Sequence, residues 1–246
     1  MKKSMILLFL SVFLLSANAM ALSSLTALDN VLNGIAVDGN IDIDVNSDMI
    51  NDNGDSTWEI TGSGMSAATF IIELAGFASS NTLGIYDSSD PTKRVLLFGG
   101  VDTAGSQAVI SIKADGSVYR NLEDTGIDFA GNSFGYYLDA TVGSGNINSI
   151  FYSDTNLNAD GLDHMLAYQG TNSEDVRLPG LAPGEWTDNE FILAFEDLLG
   201  GGDFDYDDLV VMVESVQPVP EPGTMFLLGS GLLGLAAARK KRKMNK

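Results

Sequence analysis

The 246-residue chain carries 33 acidic and 13 basic side chains, one histidine and no cysteine, for a formal charge of −20. Its length and its 45% hydrophobic content allow a buried core and exclude a wholly disordered chain. The lack of cysteine excludes a disulfide scaffold, thiolate metal centres and a cysteine nucleophile, while one histidine leaves little for zinc or proton relays. Five of the bases and all 33 acids lie within residues 22–222, so this body carries −28. A surface so acidic repels nucleic acid and attracts cations, and no nucleic-acid partner is expected.

Residues 1–21 read as a secretory signal peptide. Lys2 and Lys3 precede the apolar run Met5–Leu15, which is too short to span a bilayer. Ala17-Asn18-Ala19 then offers small residues for cleavage, with Ala19-Met20-Ala21 as a second candidate. The implied partners are the Sec translocon and signal peptidase, and the mature chain starts outside the cytoplasm, near Met20 or Leu22.

Residues 22–217 read as one secreted, acidic, β-rich domain. Leu25–Leu32 is a short helix candidate. Ile41, Ile43 and Val45 alternate with Asp42 and Asp44, the pattern of a half-buried strand. Further strands are expected at Thr69–Leu74, Arg94–Phe98, Ala108–Lys113, Phe134–Ala140, Ser149–Tyr152, Phe191–Phe195 and Leu209–Val216. Clusters such as Asn51-Asp52-Asn53-Gly54-Asp55 and Val142-Gly143-Ser144-Gly145-Asn146 separate them, rich in residues that tolerate turns. With 27 glycines and no long amphipathic helix, the fold class is all-β, an antiparallel β-sandwich or jelly roll.

Two acidic loops hold the chemistry. In the first, Asp154, Asn156, Asn158 and Asp160 place oxygen side chains on every second residue, followed by Gly161 and Asp163. Such spacing can supply a Ca²⁺ shell from one bent loop. As an EF-hand it fails, because the twelfth position counted from Asn156 is Ala167; a solvated turn is the alternative. The second loop holds Glu196, Asp197, Asp203, Asp205, Asp207 and Asp208, six carboxylates that repel one another unless solvated, protonated or neutralised by a cation. Phe204 and Tyr206 alternate with the aspartates, so the aromatics are expected to anchor the loop while the acids share a face. The expected cofactor and its candidate ligands follow together: Ca²⁺ on this loop first and on the first loop second.

Phe134–Val216 resembles a bacterial domain of unknown function, DUF4114, found in secreted and surface proteins. The resemblance rests on Asn158-Ala159-Asp160-Gly161-Leu162-Asp163-His164-Met165, on Phe195-Glu196-Asp197-Leu198, and on Asp203-Phe204-Asp205-Tyr206-Asp207-Asp208-Leu209-Val210. It implies a β-rich, calcium-stabilised extracellular module with no enzymatic activity attached.

Residues 218–246 form a second address. Pro218-Val219-Pro220-Glu221-Pro222-Gly223 is a stiff spacer, and Gln217–Gly223 is read as the linker. Thr224–Ala238 is uncharged and mostly apolar, and Arg239-Lys240-Lys241-Arg242-Lys243 follows at once. A helix over 224–238 would reach only ~22 Å, short of a ~30 Å hydrocarbon core, which suits a temporary anchor. The trailing bases place the C-terminus in the cytoplasm. Pro220-Glu221-Pro222, the glycine-interrupted apolar segment and the basic cluster together resemble the PEP-CTERM protein-sorting signal. That resemblance implies an exosortase-type membrane protease as partner, processing near Pro220–Pro222, and a Gram-negative bacterium that makes extracellular polysaccharide.

The expected function is a non-enzymatic exported surface or matrix protein, transiently anchored in the inner membrane and finally associated with exopolysaccharide or biofilm at the cell surface. A carbohydrate-binding module using Trp58 or Trp186, and a secreted polysaccharide hydrolase, are the alternatives. A hydrolase needs only two placed carboxylates. A serine triad would have to use His164, for which no G-x-S-x-G motif exists; a surface or loop-packing role suits that histidine better.

Overall fold

The structure is a computed structural model that describes residues 25–62, 64–73 and 79–219. The expected signal peptide, the Pro220-Glu221-Pro222 motif and the anchor segment 224–238 lie outside these residues. Among the described residues no helix is long and apolar enough to cross a membrane.

The chain opens with helix α1 (Thr26–Ile35) and the one-turn helix α2 (Asp52–Asp55), then enters strands β1 (Trp58–Ile60), β2 (Ser66–Glu73), β3 (Thr82–Asp87) and β4 (Asp90–Phe98). Next come β5 (Gln107–Ile112), β6 (Ser117–Arg120), β7 (Glu123–Asp128) and β8 (Ser133–Asp139). A one-turn helix α3 (Thr141–Ser144), β9 (Ile150–Tyr152) and a 3₁₀ turn (Thr155–Leu157) lead to β10 (Met165–Gln169). The last elements are β11 (Asp175–Val176), β12 (Gly184–Glu185), β13 (Glu190–Phe195), β14 (Leu209–Glu214) and β15 (Val216–Pro218).

Two antiparallel sheets make the body. One runs β15-β1-β8-β3-β4 with β9 also on β8, the other β10-β13-β14-β2-β5-β6-β7, and β11 and β12 form a small ribbon. The sheets face each other across the larger core, where Trp58, Phe134, Tyr136 and Leu138 of the first meet Phe191, Leu193, Val211 and Val213 of the second. Trp58 sits edge-on to Tyr136 and to Phe191, with centroids 5.7 and 5.0 Å away. The expected β-sandwich is what the chain forms.

The second sheet is covered on its outer face as well. Ile192, Ala194, Val210 and Met212, which alternate with the inner residues of β13 and β14, join Leu28, Leu32, Ile41, Ile43, Val45 and Trp186 in a second core. Strands buried on both faces must be apolar at every position, which accounts for the unbroken runs Phe191–Phe195 and Leu209–Val213. Helix α1 presents Leu28, Leu32 and Ile35 at helical spacing to this core. Its end is tied to the ribbon by the Arg177 N–H, which donates to the Ile35 carbonyl at 2.7 Å.

Two expectations change. Ile41, Ile43 and Val45 are buried in alternation, yet the segment pairs with no strand. Its backbone donors go to side chains instead: Ile41 N–H to Asn33 Oδ1 at 2.8 Å, Asp42 N–H to Glu174 Oε1 at 2.5 Å, and Asp44 N–H to Asp48 Oδ2 at 2.8 Å. The linker also starts later than expected. Gln217 and Pro218 belong to β15, paired with Glu59 and Trp58, and the Val219 N–H donates to the Thr57 carbonyl at 2.8 Å. The fold therefore reaches to the residue before Pro220.

Candidate metal centre

Strands β13 and β14 pair so that Phe195 lies opposite Leu209. The intervening residues 196–208 form a hairpin loop whose two acidic ends are brought side by side by that register. At its tip Gly200, Gly201 and Gly202 all adopt positive φ, a region open to glycine at no steric cost. A Cβ on Gly202 would lie 2.2 Å from Glu196 Oε1, so that glycine makes the room in which the Glu196 carboxylate sits.

All six acids of the loop converge. Glu196, Asp197 and Asp208 form one group whose ligand oxygens lie within 4.8 Å of one another; Glu196, Asp203 and Asp205 form a second, and Asp205, Asp207 and Asp208 a third. Glu196 and Asp197 are buried, at 0% and 2% exposure. The Asp197 N–H donates to Asp208 Oδ2 at 2.9 Å, and the Leu198 N–H reaches Glu196 Oε1 at 3.3 Å. Glu196 Oε2 is buried and has no partner. Burial, followed by the charge of Asp208, pushes the Glu196 carboxyl far above the usual range, and burial raises Asp208, Asp207 and Asp197 as well. Among the described residues no base relieves this crowding; a cation or shared protons must.

The aromatics behave differently from each other. Tyr206 is buried and its hydroxyl donates to the Asp163 carbonyl at 2.8 Å, so it anchors the loop as expected. Phe204 is 41% exposed and packs over Gly201. Both residues are left-handed, with φ of 59° and 52°, so the loop is coiled here, unlike the strand-like alternation expected of it.

The first acidic loop spends its oxygens on itself. Asp154 Oδ1 accepts the Asn156 N–H at 3.0 Å and its side-chain amide at 2.9 Å. Asn158 is buried, accepting from the Tyr152 N–H at 2.7 Å while donating to the Tyr152 and Leu162 carbonyls. Asp160 takes the Leu162 N–H on Oδ1, and on Oδ2 both His164 Nε2 at 3.0 Å and the Gly200 N–H at 2.7 Å. Asp163 Oδ1 accepts the Met165 N–H at 3.1 Å. Asp154, Asn156, Asn158 and Asp160 are thus engaged in hydrogen bonds within and beside their own turn, and every group of three or more carboxylates with oxygens within 4.8 Å among the described residues belongs to the 196–208 loop.

His164 clamps the two loops together. It is fully buried, stacks on Phe151 at 4.0 Å, and its Nδ1 reaches the Glu196 carbonyl at 3.0 Å, while its other nitrogen meets Asp160. Of its two offered roles, loop packing is the one the fold uses. One further residue contributes that sequence reasoning missed. Asn81, buried just before β3, donates its amide to Asp197 Oδ2 at 2.9 Å and leaves Oδ1 unpartnered. It stands 116 residues away in the chain, and nothing local in the sequence signals it.

Residues 104–216 match the family model described as Domain of unknown function (DUF4114), and residues 218–243 match the PEP-CTERM protein-sorting motif. The first match reaches further towards the N-terminus than Phe134 and contains both acidic loops. No curated protein and no solved structure matches the chain. Residues 104–216 are thus similar to DUF4114, and they are followed by a PEP-CTERM motif, the mark of an exported protein sorted by an exosortase-type system.

Proposed function

We propose that the protein is a non-enzymatic surface or extracellular-matrix component of a Gram-negative bacterium, retained with exopolysaccharide in a biofilm and held in shape by Ca²⁺ in the 196–208 loop. The sorting motif supports the route: the tail holds the chain in the inner membrane until an exosortase releases it. The calcium reading is carried by Glu196, a fully buried carboxylate with one oxygen unpartnered, grouped closely with Asp197, Asp203, Asp205 and Asp208. Hard oxygen ligands in a flexible loop suit Ca²⁺, and a site of modest affinity suffices where calcium is abundant. In this reading Glu196, Asp197, Asp203, Asp205, Asp207 and Asp208 share the ligation. Both tryptophans are core residues, at 0% and 1% exposure, which removes the aromatic platform that the carbohydrate-binding alternative would have used.

Thermal unfolding of the full chain in EDTA, in Ca²⁺ and in NaCl of equal ionic strength tests this. A ligand that binds only the folded state adds about 2.7 kcal/mol at a hundredfold its Kd. Calcium is expected to raise the midpoint well beyond NaCl, and Asp205→Ala with Asp207→Ala to remove most of the gain. If NaCl does as well as Ca²⁺, the loop is a screened acidic surface and the calcium reading falls.

A further inference from the structure

Asn81 reaches the acidic hairpin from the opposite sheet. It directly precedes β3, whose first residue Thr82 pairs with Asp139, and β3 lies between β8 and β4 in the first sheet. The hairpin loop joins β13 and β14 of the second sheet. The backbone just before Asn81 is closely packed, since a Cβ on Gly100 would lie 2.1 Å from the Ser79 carbonyl oxygen. Asn81 itself is buried. An uncharged amide is thus delivered on a fixed backbone to the carboxylates of the loop.

One half of that amide is satisfied and the other is not. Nδ2 donates to Asp197 Oδ2 at 2.9 Å, whereas Oδ1 is buried and accepts nothing. A buried oxygen in that state is costly, and either a donor or a cation would relieve it. Asp197 in turn lies with Glu196 and Asp208 in a group whose oxygens are within 4.8 Å of one another. Glu196 Oε2 is likewise buried without a partner. Two unpartnered oxygens, one from each sheet, therefore belong to residues gathered around Asp197.

The two ends of an amide are alike in size, so half a turn of the side chain exchanges oxygen and nitrogen. Oδ1 then takes the place of Nδ2, 2.9 Å from Asp197 Oδ2. Two oxygens at that separation, each ~2.4 Å from one ion, subtend about 74° at it. Neighbouring equatorial ligands of a pentagonal bipyramid, a common Ca²⁺ geometry, subtend about 72°. The exchange gives up one hydrogen bond and leaves no amide oxygen unmet.

We propose that Asn81 is a ligand of the cation held by the 196–208 loop, its Oδ1 joining the carboxylates of Glu196, Asp197 and Asp208. This rests on the calcium reading of that loop and extends it: the ion staples the first sheet to the second. A neutral amide oxygen adds to the six to eight ligands that Ca²⁺ takes without adding to the crowded charge. Because Asn81 precedes residue 104, the ligand set reaches outside the stretch that matches DUF4114.

Calorimetric titration of the EDTA-stripped full chain with Ca²⁺ tests this, in high NaCl to screen charges that merely lie nearby. Asn81→Ala is expected to keep the wild-type stoichiometry and to bind about tenfold more weakly. Asn81→Asp keeps an oxygen at this position, adds charge and loses the Nδ2 donor. As a ligand it is expected to bind at least as tightly as wild type, since ligand charge raises Ca²⁺ affinity. If residue 81 serves only as a donor to Asp197, Asn81→Asp weakens binding as Asn81→Ala does. Weakened binding in Asn81→Asp, or unchanged affinity in Asn81→Ala, overturns the proposal and leaves the loop a calcium site. If Asn81→Ala does not fold, Asn81→Asp decides alone. A wild-type chain without saturable binding brings down the calcium reading of the loop itself, and this proposal with it.

Discussion

His164 shows how one side chain can organise charges it does not neutralise in number. Both of its partners, the Glu196 carbonyl and the Asp160 carboxylate, are acceptors, so both bonds are made together only when both ring nitrogens carry protons. Through them it fixes the backbone on which Glu196 stands and the carboxylate that receives the Gly200 N–H. His164→Ala would leave a void against Phe151 and the buried Glu196 carbonyl without the imidazole donor, while Asp160 would keep the Leu162 and Gly200 N–H groups. The expected loss is about 3 kcal/mol, read from denaturant midpoints, with weaker calcium binding as its companion. A loss under about 0.5 kcal/mol, the size of an ordinary surface change, would remove His164 from this role. The loop acids themselves were legible because six carboxylates crowd one short stretch. Asn81 was not, since it acquires meaning only through Asp197, 116 positions away. Nor could spacing reveal that Asp154, Asn156 and Asn158 are consumed by their own turn.

Among the elements, β3 and β8 show a device that alternation cannot announce. Their register sets Tyr86 opposite Gly135 and Gly84 opposite Tyr137. Each tyrosine ring lies over the glycine across from it. A Cβ on Gly135 would fall 2.3 Å from the Tyr86 ring, and one on Gly84 2.6 Å from the Tyr137 ring. Gly135→Ala should therefore destabilise by about 2 kcal/mol, the cost of overpacking, while in a Tyr86→Leu background it should cost much less. Additive costs in the double-mutant cycle would mean that the ring is not what the new methyl meets. Gly84 in turn hid β3 from a pattern reading. β7 escaped because its residues are mostly polar and exposed at a sheet edge, and β10 because Met165-Leu166-Ala167 favours a helix as readily as a strand. By contrast, the apolar runs of β13 and β14 announced themselves. Ile41–Val45 misled in the other direction: its alternation reports burial correctly, but pairing depends on where the N–H groups go.

For the molecule as a whole, family match and folding unit differ in extent. The DUF4114 match starts at residue 104, yet β2 lies between β14 and β5 in the second sheet, and β8 of the first pairs with β1 and β3. The segment before residue 104 is therefore built into both sheets. Residues 22–222 carry −28, with five bases to offset 33 acids, so the response to pH is set by how the acids are housed. Burial, with Asp163 and Asp52 adding to it, raises Asp55 to about 9; burial raises Asp163 to about 7; Glu196 and Asp208 are raised too. In calcium-free solution such groups bind more protons in the folded chain than in the unfolded one, so stability falls as pH rises through their folded values. Asp87 and Asp115 are displaced the other way, chiefly by Ser89 and Ser117 hydrogen bonds that outweigh burial, and their contribution is lost only on strong acidification. The calcium-free midpoint is thus expected to decline from about pH 5 to about pH 9, most steeply just above the ordinary carboxyl range and less so as Asp163 and then Asp55 ionise in the folded chain. Calcium takes the place of those protons, so it should flatten the decline and release protons on binding near neutrality. Unfolding scans across that range, with EDTA and with Ca²⁺, measure both effects. A calcium-free midpoint that climbs with pH would mean that the buried acids are already compensated, and would leave the 196–208 loop no cation to hold.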